Sequence, residues 1–244
     1  MNPVHLSTLV LYCAMLLACQ PKPDSSSRTD STDVTENKGT VDGSNDFLIV
    51  PGERVGPVTA TTSEVDLLKR LGSSVVTAGD TLYGPEGDTF LGTVLYKGTP
   101  DEVQITYNDE KRTQPEAITI RPQLLDDEGN PIKNLAPSRW TTADGLRIGT
   151  TLKALEKRNG KPFKLWGFGW DYGGALSDWQ GGKMARLTNN RFTLSLSLGP
   201  PPTRTPAQEK AYNKLMGDGE FLSSSADMQL LNPIVEVIRV EFSR

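Results

Sequence analysis

"RFTLSLSL" (residues 191–198) places Phe192, Leu194, Leu196 and Leu198 at every second position, with Thr and Ser between them. Successive side chains of a β-strand point to opposite faces, so this period of two describes a strand with one apolar and one polar side. Such a strand needs neighbours that share its apolar face. The chain supplies strand-like runs at "LGTVLY" (91–96), "EVQITY" (102–107), "AITIRPQL" (117–124) and "IVEVIRVEF" (234–242). "DDEGNPI" (126–132) has the composition of a turn between strands.

Short helices interrupt these runs. "TTSEVDLLKRLG" (61–72) and "TTLKALEKRNG" (150–160) both open with a Thr pair and close on a glycine. Leu67 and Leu155 stand at the same distance before Gly72 and Gly160, and a basic residue pair lies near each end. Thr61 and Glu64 have capping-box spacing, and both glycines stand where a left-handed C-cap is expected. "TPAQEKAYNKLM" (205–216) starts a third helix, with Thr205 at N-cap, Pro206 at N1 and Gln208 at N3. It follows the strand-breaking "GPPP" (199–202) and is expected to cover the sheet or an edge strand. The fold class expected is α+β, with short helices packed on antiparallel sheet. The two similar helices suggest a two-copy helix-then-strands repeat, with sub-repeats at 47–135 and 136–244.

The N-terminal residues have a different character. Residues 1–18 contain no Lys, Arg, Asp or Glu, and residues 9–18 are an apolar run. That run is about half of the roughly 20 residues needed to span a bilayer, so it reads as a signal peptide. It ends in Leu16-Leu17-Ala18-Cys19, which resembles the lipobox of bacterial lipoproteins. The resemblance implies cleavage before Cys19 and acylation of that cysteine. Two or three acyl chains give stable anchoring, at roughly 0.8 kcal/mol for each buried CH₂. Gln20 follows, where the resemblance places Asp for inner-membrane retention, so an outer-membrane location is expected, on the periplasmic or the surface side. "GLRIGTTLKALEKRNGKPFKLWGFGWDYGG" (145–174) and "IVPGERVGPVTATTSE" (49–64) further resemble a group of uncharacterised bacterial envelope lipoproteins. That likeness implies a context without a mechanism. In topology the helix-then-sheet arrangement is also similar to the small outer-membrane-assembly lipoproteins and the β-lactamase-inhibitor proteins, which are binding modules.

Cleavage before Cys19 removes His5 and Cys13, the only histidine and the only other cysteine. A chain without His or free Cys cannot build Ser-His-Asp or Cys-His nucleophile systems or an ordinary zinc site. No cofactor and no metal are expected. "GFGWDYGG" matches neither the dinucleotide nor the P-loop pattern, and "DDEGN" lacks the ligand spacing of an EF-hand.

Residues 20–46 contain no aromatic residue and only two valines. This 27-residue stretch cannot bury enough apolar surface to offset its ordering entropy, and it reads as a tether of roughly 25–30 Å. It holds six of the thirty acids and three of the 26 bases, leaving a net charge of −1 in residues 47–244. Nucleic acid is therefore not an expected partner. The remaining 47–244 is long enough for a well-buried globular core.

The candidate site is "KLWGFGWDYGGALSDWQGGK" (164–183), which holds three of the four tryptophans. At period two, Trp166, Phe168, Trp170 and Tyr172 would share one face of a strand, with Gly167, Gly169 and Asp171 opposite. One reading is a core strand whose glycines admit a neighbouring backbone. The other is a shelf for sugar rings or a peptide, formed by Trp166, Trp170 and Tyr172 with Asp171 and a flanking Trp179. A split is also consistent, with Trp170 inside and Trp179 at a rim. Asp171 and Asp178 are the nearest carboxylates, and a glycosidase needs two acids roughly 5–9.5 Å apart across a cleft. Lys157, Arg158, Lys161 and Lys164 cluster at the end of the second helix. They complement its macrodipole, or receive an anionic headgroup or a partner's acids. The leading expectation is a non-catalytic, lipid-anchored binding or scaffolding protein whose partner is an envelope protein or glycan. The alternatives are a carbohydrate-active enzyme and a protein inhibitor or assembly factor.

Overall fold

A computed structural model describes residues 46–242, apart from 85–86, 123–127, 129, 131 and 190–191. The expected signal peptide, Cys19, the expected tether up to residue 45 and most of the 126–132 segment expected to be a turn lie outside the described residues.

The chain begins with three short strands, β1 (Leu48–Val50), β2 (Arg54–Val55) and β3 (Val58–Thr59), and then forms helix α1 (Glu64–Leu71). A meander follows: β4 (Val76–Tyr83), β5 (Thr89–Leu95), β6 (Val103–Tyr107) and β7 (Pro115–Ile120). Next come β8 (Thr141–Thr142), α2 (Leu152–Asn159), β9 (Lys164–Trp166) and β10 (Leu176–Asp178). After a 3₁₀ helix at Lys183–Leu187 the chain makes β11 (Thr188–Asn189), β12 (Phe192–Gly199) and α3 (Pro206–Lys214). It closes with β13 (Glu220–Leu222), α4 (Ala226–Leu231) and β14 (Ile234–Phe242).

The fold is α+β, with helices packed on sheets. The main sheet has seven strands in the order β11-β12-β14-β7-β6-β5-β4, every neighbouring pair antiparallel. Alternation and register together build its core. Leu196, Ile238, Ile120, Val103, Leu95 and Val76 stand side by side across six strands, and all are buried. The adjacent row on the other face is Ser195, Arg239, Thr119, Gln104, Val94 and Thr77. One face is thus covered and the other is mostly polar, as expected of an antiparallel sheet. A second sheet of four strands, β3-β2-β1-β8, pairs β1 and β8 in parallel. The third has three strands, β10-β9-β13.

The start of the described chain is pinned to the core. Asp46 forms a 2.6 Å ion pair with Arg54, and Phe47 packs edge-on against buried Trp140 at 5.0 Å. The Trp140 indole donates to the Asp101 carbonyl at 2.9 Å.

Two sequence expectations are corrected and a third is not confirmed. Helix α1 is capped by Ser63 with Asp66 as the reciprocal partner, not by Thr61 with Glu64. The Thr61 N–H donates to the Thr59 hydroxyl instead of the Glu64 carboxylate, and Glu64 turns into the core. Gly72 has φ 78° and ψ 165°, so it is not a left-handed cap, whereas Gly160 (φ 80°, ψ 1°) is. The two-copy repeat is not confirmed. Helix α1 leads into a four-strand meander, whereas α2 leads into a separate small sheet before β12 and β14 join the main one. Helix α3 has the expected Thr205–Gln208 capping box with Pro206 in its first turn. It packs chiefly against α4 and carries Ala211 into the core.

Candidate functional site

Strand β9 is the central strand of the three-stranded sheet and positions the aromatic band. Leu165 is fully buried and pairs with Leu176 on one side and Phe221 on the other. Alternation sends Lys164 and Trp166 to the opposite side, where Trp166 faces Glu220 and Lys164 faces Leu222 and Asp178.

Beyond Trp166 the band departs from the expected four-ring strand face. Gly167 N–H donates to Gly219 O and Phe168 N–H to Leu215 O, each at 2.8 Å, and Gly217 N–H returns a bond to Phe168 O. A Cβ on Gly167 would lie 2.4 Å from the Gly217 carbonyl oxygen and 2.7 Å from that of Leu215. Glycine is required there by the approach of that backbone. Phe168 is buried, its ring 5.6 Å from Tyr212 of α3. Gly169 then adopts φ +83°, which ends the extended run, and Trp170 to Gly174 form a turn closed by Gly173 N–H to Trp170 O. Trp170 and Tyr172 therefore reach the surface from a turn.

Three rings form a ladder. Trp166 and Trp170 meet edge-to-face with centroids 6.1 Å apart, and Trp170 and Tyr172 at 5.4 Å. The Trp170 indole N–H donates to Gly167 O at 2.9 Å, which fixes the middle ring. Trp170 is 37% and Tyr172 50% exposed. Trp179 does not flank them. It is 7% exposed and packs at 5.3 Å against the fully buried Phe163. The suggested split is thus reversed: Trp179 belongs to the core and Trp170 to the rim. Asp171 lies exposed in the turn, and Asp178 accepts from the backbone and side-chain amides of Gln180.

Beside the ladder lies a polar triad that the sequence reading missed. The Glu220 carboxylate accepts from Lys164 Nζ at 2.6 Å and from Ser177 Oγ at 2.7 Å. The Lys164 bond holds the Glu220 carboxyl below its ordinary value, aided by Ser177, and the same bond raises the Lys164 ammonium. The three side chains come from three strands and meet only through the register. A carboxylate, an ammonium and a hydroxyl in fixed geometry thus adjoin an exposed aromatic surface.

The four bases at the end of α2 do not act as one cluster. Arg158 pairs with Asp144 at 3.2 Å and Lys164 with Glu220, while Lys157 and Lys161 line an open depression.

A second polar centre is buried. The Glu64 carboxylate accepts from Gly79 N–H (2.9 Å), Thr93 Oγ (2.7 Å) and Arg112 Nε (2.7 Å). The Thr93 proton is committed to Glu64, so the Tyr107 hydroxyl donates to Thr93 at 2.8 Å. Burial pushes the Tyr107 hydroxyl up to about 12. Glu64 is held below the ordinary carboxylate value: burial opposes ionisation, but the bonds from Thr93, Gly79 and Arg112 outweigh it. Every group in this centre belongs to α1 or to the meander, and its work is to pin the helix to the sheet.

Among the described residues, no cluster of three or more His, Cys, Asp or Glu side chains could hold a metal, and no helix is long and apolar enough to cross a membrane. Comparison with protein-family models, curated proteins and solved structures finds no match to any of them.

Proposed function

We propose that this chain is a lipid-anchored, non-catalytic binding module of the bacterial envelope, and that its ligand surface is the outer side of β10-β9-β13 with the adjoining 170–174 turn. The observation that carries the reading is the pairing of a fixed aromatic ladder, Trp166-Trp170-Tyr172, with the Glu220–Lys164–Ser177 triad. Binding sites combine apolar and aromatic area with a few placed polar groups. Aromatic faces take the C–H surfaces of a pyranose ring, while a fixed carboxylate, ammonium and hydroxyl take its hydroxyl groups. A glycan strand of the envelope is the ligand class this combination fits. The lipobox-like Leu16–Cys19 segment supports the anchor.

The test is titration of the chain from Gln20 onward with soluble cell-wall glycan fragments, read by intrinsic fluorescence and calorimetry. Saturable binding is expected, weakened about ten-fold or more by Trp170→Ala and by Glu220→Gln, since aromatic and buried polar contacts dominate binding energy. Binding that survives both substitutions, or turnover of the glycan, sinks the proposal. Acylation is tested separately, by incorporation of labelled palmitate that Cys19→Ala abolishes.

A further inference from the structure

Helix α2 presents a charge pattern that its own electrostatics does not explain. A base in a helix's last turn complements the macrodipole, and Lys157 fits that account. Lys153 does not. It sits in the first turn, where a positive charge is unfavourable, and α2 has no acid there, whereas α1 and α3 both do. Lys153 and Lys157 are four residues apart and so share one helix face. Lys161 follows four residues later, just past the Gly160 cap. All three line one open depression of about 530 Å³, together with Glu156, Gly160, Pro162 and Gln229. The Lys183 side chain lies nearby, its Cε 3.7 Å from where a Cβ on Gly160 would be, but it does not line the depression.

None of the three lining lysines has an ion-pair partner among the described residues. The one carboxylate in the depression, Glu156, is taken up by Ser223 Oγ at 2.6 Å and Gln229 Nε2 at 2.8 Å. Three ammonium groups thus line the depression with one hydrogen-bonded carboxylate, a local excess of two positive charges in a region, 47–244, of net charge −1.

We infer that this lysine face docks on the anionic lipid headgroups of the membrane that anchors the chain. The inference rests on the proposed anchor at Cys19. From there, 27 residues lead to Asp46, which is already fixed to Arg54. A flexible coil of 27 residues has a reach of roughly 25–30 Å, so the tether expected from the sequence would keep the face at high effective concentration beside the headgroups. A basic patch is a further membrane signal that adds to an acyl anchor and orients the core on the surface. Contact is required, because charge attraction fades within about 8–10 Å at physiological salt.

The experiment uses the chain from Gln20 onward, which lacks the acylation site, so that acylation cannot contribute. Co-sedimentation is measured with vesicles of phosphatidylcholine and of a two-to-one mixture of phosphatidylcholine and phosphatidylglycerol. Binding to the anionic vesicles alone is expected, and high salt should abolish it. Each lysine contributes about five-fold in partitioning, so Lys153→Gln, Lys157→Gln and Lys161→Gln together cost about a hundred-fold. Lys97→Gln, which removes a base paired with Asp80 and outside both proposed surfaces, should leave partitioning unchanged within about two-fold. Equal binding to neutral vesicles overturns the inference, as does insensitivity to the triple substitution. Loss through Trp170→Ala instead moves the contact to the aromatic ladder and overturns it too. So does binding of the triple-sensitive face to a soluble polyanion without binding to vesicles. A failure of palmitate labelling at Cys19 leaves these readouts intact, and so is told apart from a failure of the lysine face.

Discussion

Replacing Glu64 by Ala removes the acceptor for three donors at once: Gly79 N–H, Thr93 Oγ and the Arg112 guanidinium. Both carboxylate bonds to Thr93 and Arg112 are 2.7 Å, and Glu64 is buried, so solvent cannot replace them without opening the α1–sheet contact. Breaking a buried charge pair from one side costs about 3–5 kcal/mol. Arg112 is partly exposed and can reach water, which places the expected loss near the lower end, about 3 kcal/mol. The partner's contribution must be shared. Arg112→Ala added to Glu64→Ala should cost much less than Arg112→Ala alone, a coupling of about 1–3 kcal/mol. The pH dependence has a fixed sign. Glu64 is held below its ordinary value in the folded state, so its stabilisation is present above the unfolded carboxylate value, about 4.3. It is lost as pH falls through the lower folded value. Urea denaturation at pH 7 and pH 3 reads all of this, with the gap between wild type and Glu64→Ala expected to narrow in acid. A loss below about 1 kcal/mol at pH 7, or additive single substitutions, refutes the assignment of Glu64 as the pin.

Two further substitutions probe the fold around the proposed site. Gly167→Ala forces a methyl to within 2.4 Å of the Gly217 carbonyl oxygen, at a cost of about 1–3 kcal/mol. It should also loosen Trp170, which bonds to Gly167 O; an unchanged melting temperature and unchanged tryptophan quenching by acrylamide would contradict the packing. Glu236→Gln should stabilise the protein at neutral pH. Burial raises the Glu236 carboxyl despite Arg121 and Arg204, so ionisation costs stability as pH rises through the folded value. The gain should vanish below the ordinary carboxylate range, and a less stable Gln variant at pH 7 would contradict this.

The main sheet was legible because each strand's own alternation states which face is buried. Phe192 to Leu198 and Ile234 to Phe242 fall as read, and their register follows from matching apolar rows. Strand β4 was not legible: "VTAGDTLY" has a bulge at Gly79 and lies at the sheet edge, so only Val76 and Leu82 need be buried. At α1, Thr61 with Glu64 and Ser63 with Asp66 are overlapping boxes of equal local merit. The choice is made by Arg112, forty-eight residues away, which draws Glu64 inward. The aromatic band failed for the same kind of reason. Alternating rings and glycines look like a strand, but the glycines serve a close backbone at Gly167 and a positive φ at Gly169. The Glu220 triad joins partners 56 and 43 residues apart, and no spacing in the sequence announces it.

The origin of these supports bears on what the ladder can do. Trp166, Gly167 and Phe168 are hydrogen-bonded to Ala175 on one side and to Leu215, Gly217 and Gly219 on the other. Gly174, at the end of the turn, receives the Leu198 N–H of β12 and so is fastened to the main sheet. Gly174 lies so near that strand that a Cβ there would sit 1.7 Å from Leu198 O. The turn that carries Trp170 and Tyr172 is therefore not a free loop. To loosen it, the chain must also break backbone bonds to β12 and to the segment between α3 and β13. Rings held in this way lose little freedom when a ligand arrives, so less of the interaction energy goes into ordering the site. The proposed binding role accounts for holding half-exposed rings so firmly, because contact with a ligand would recover the cost of their exposure.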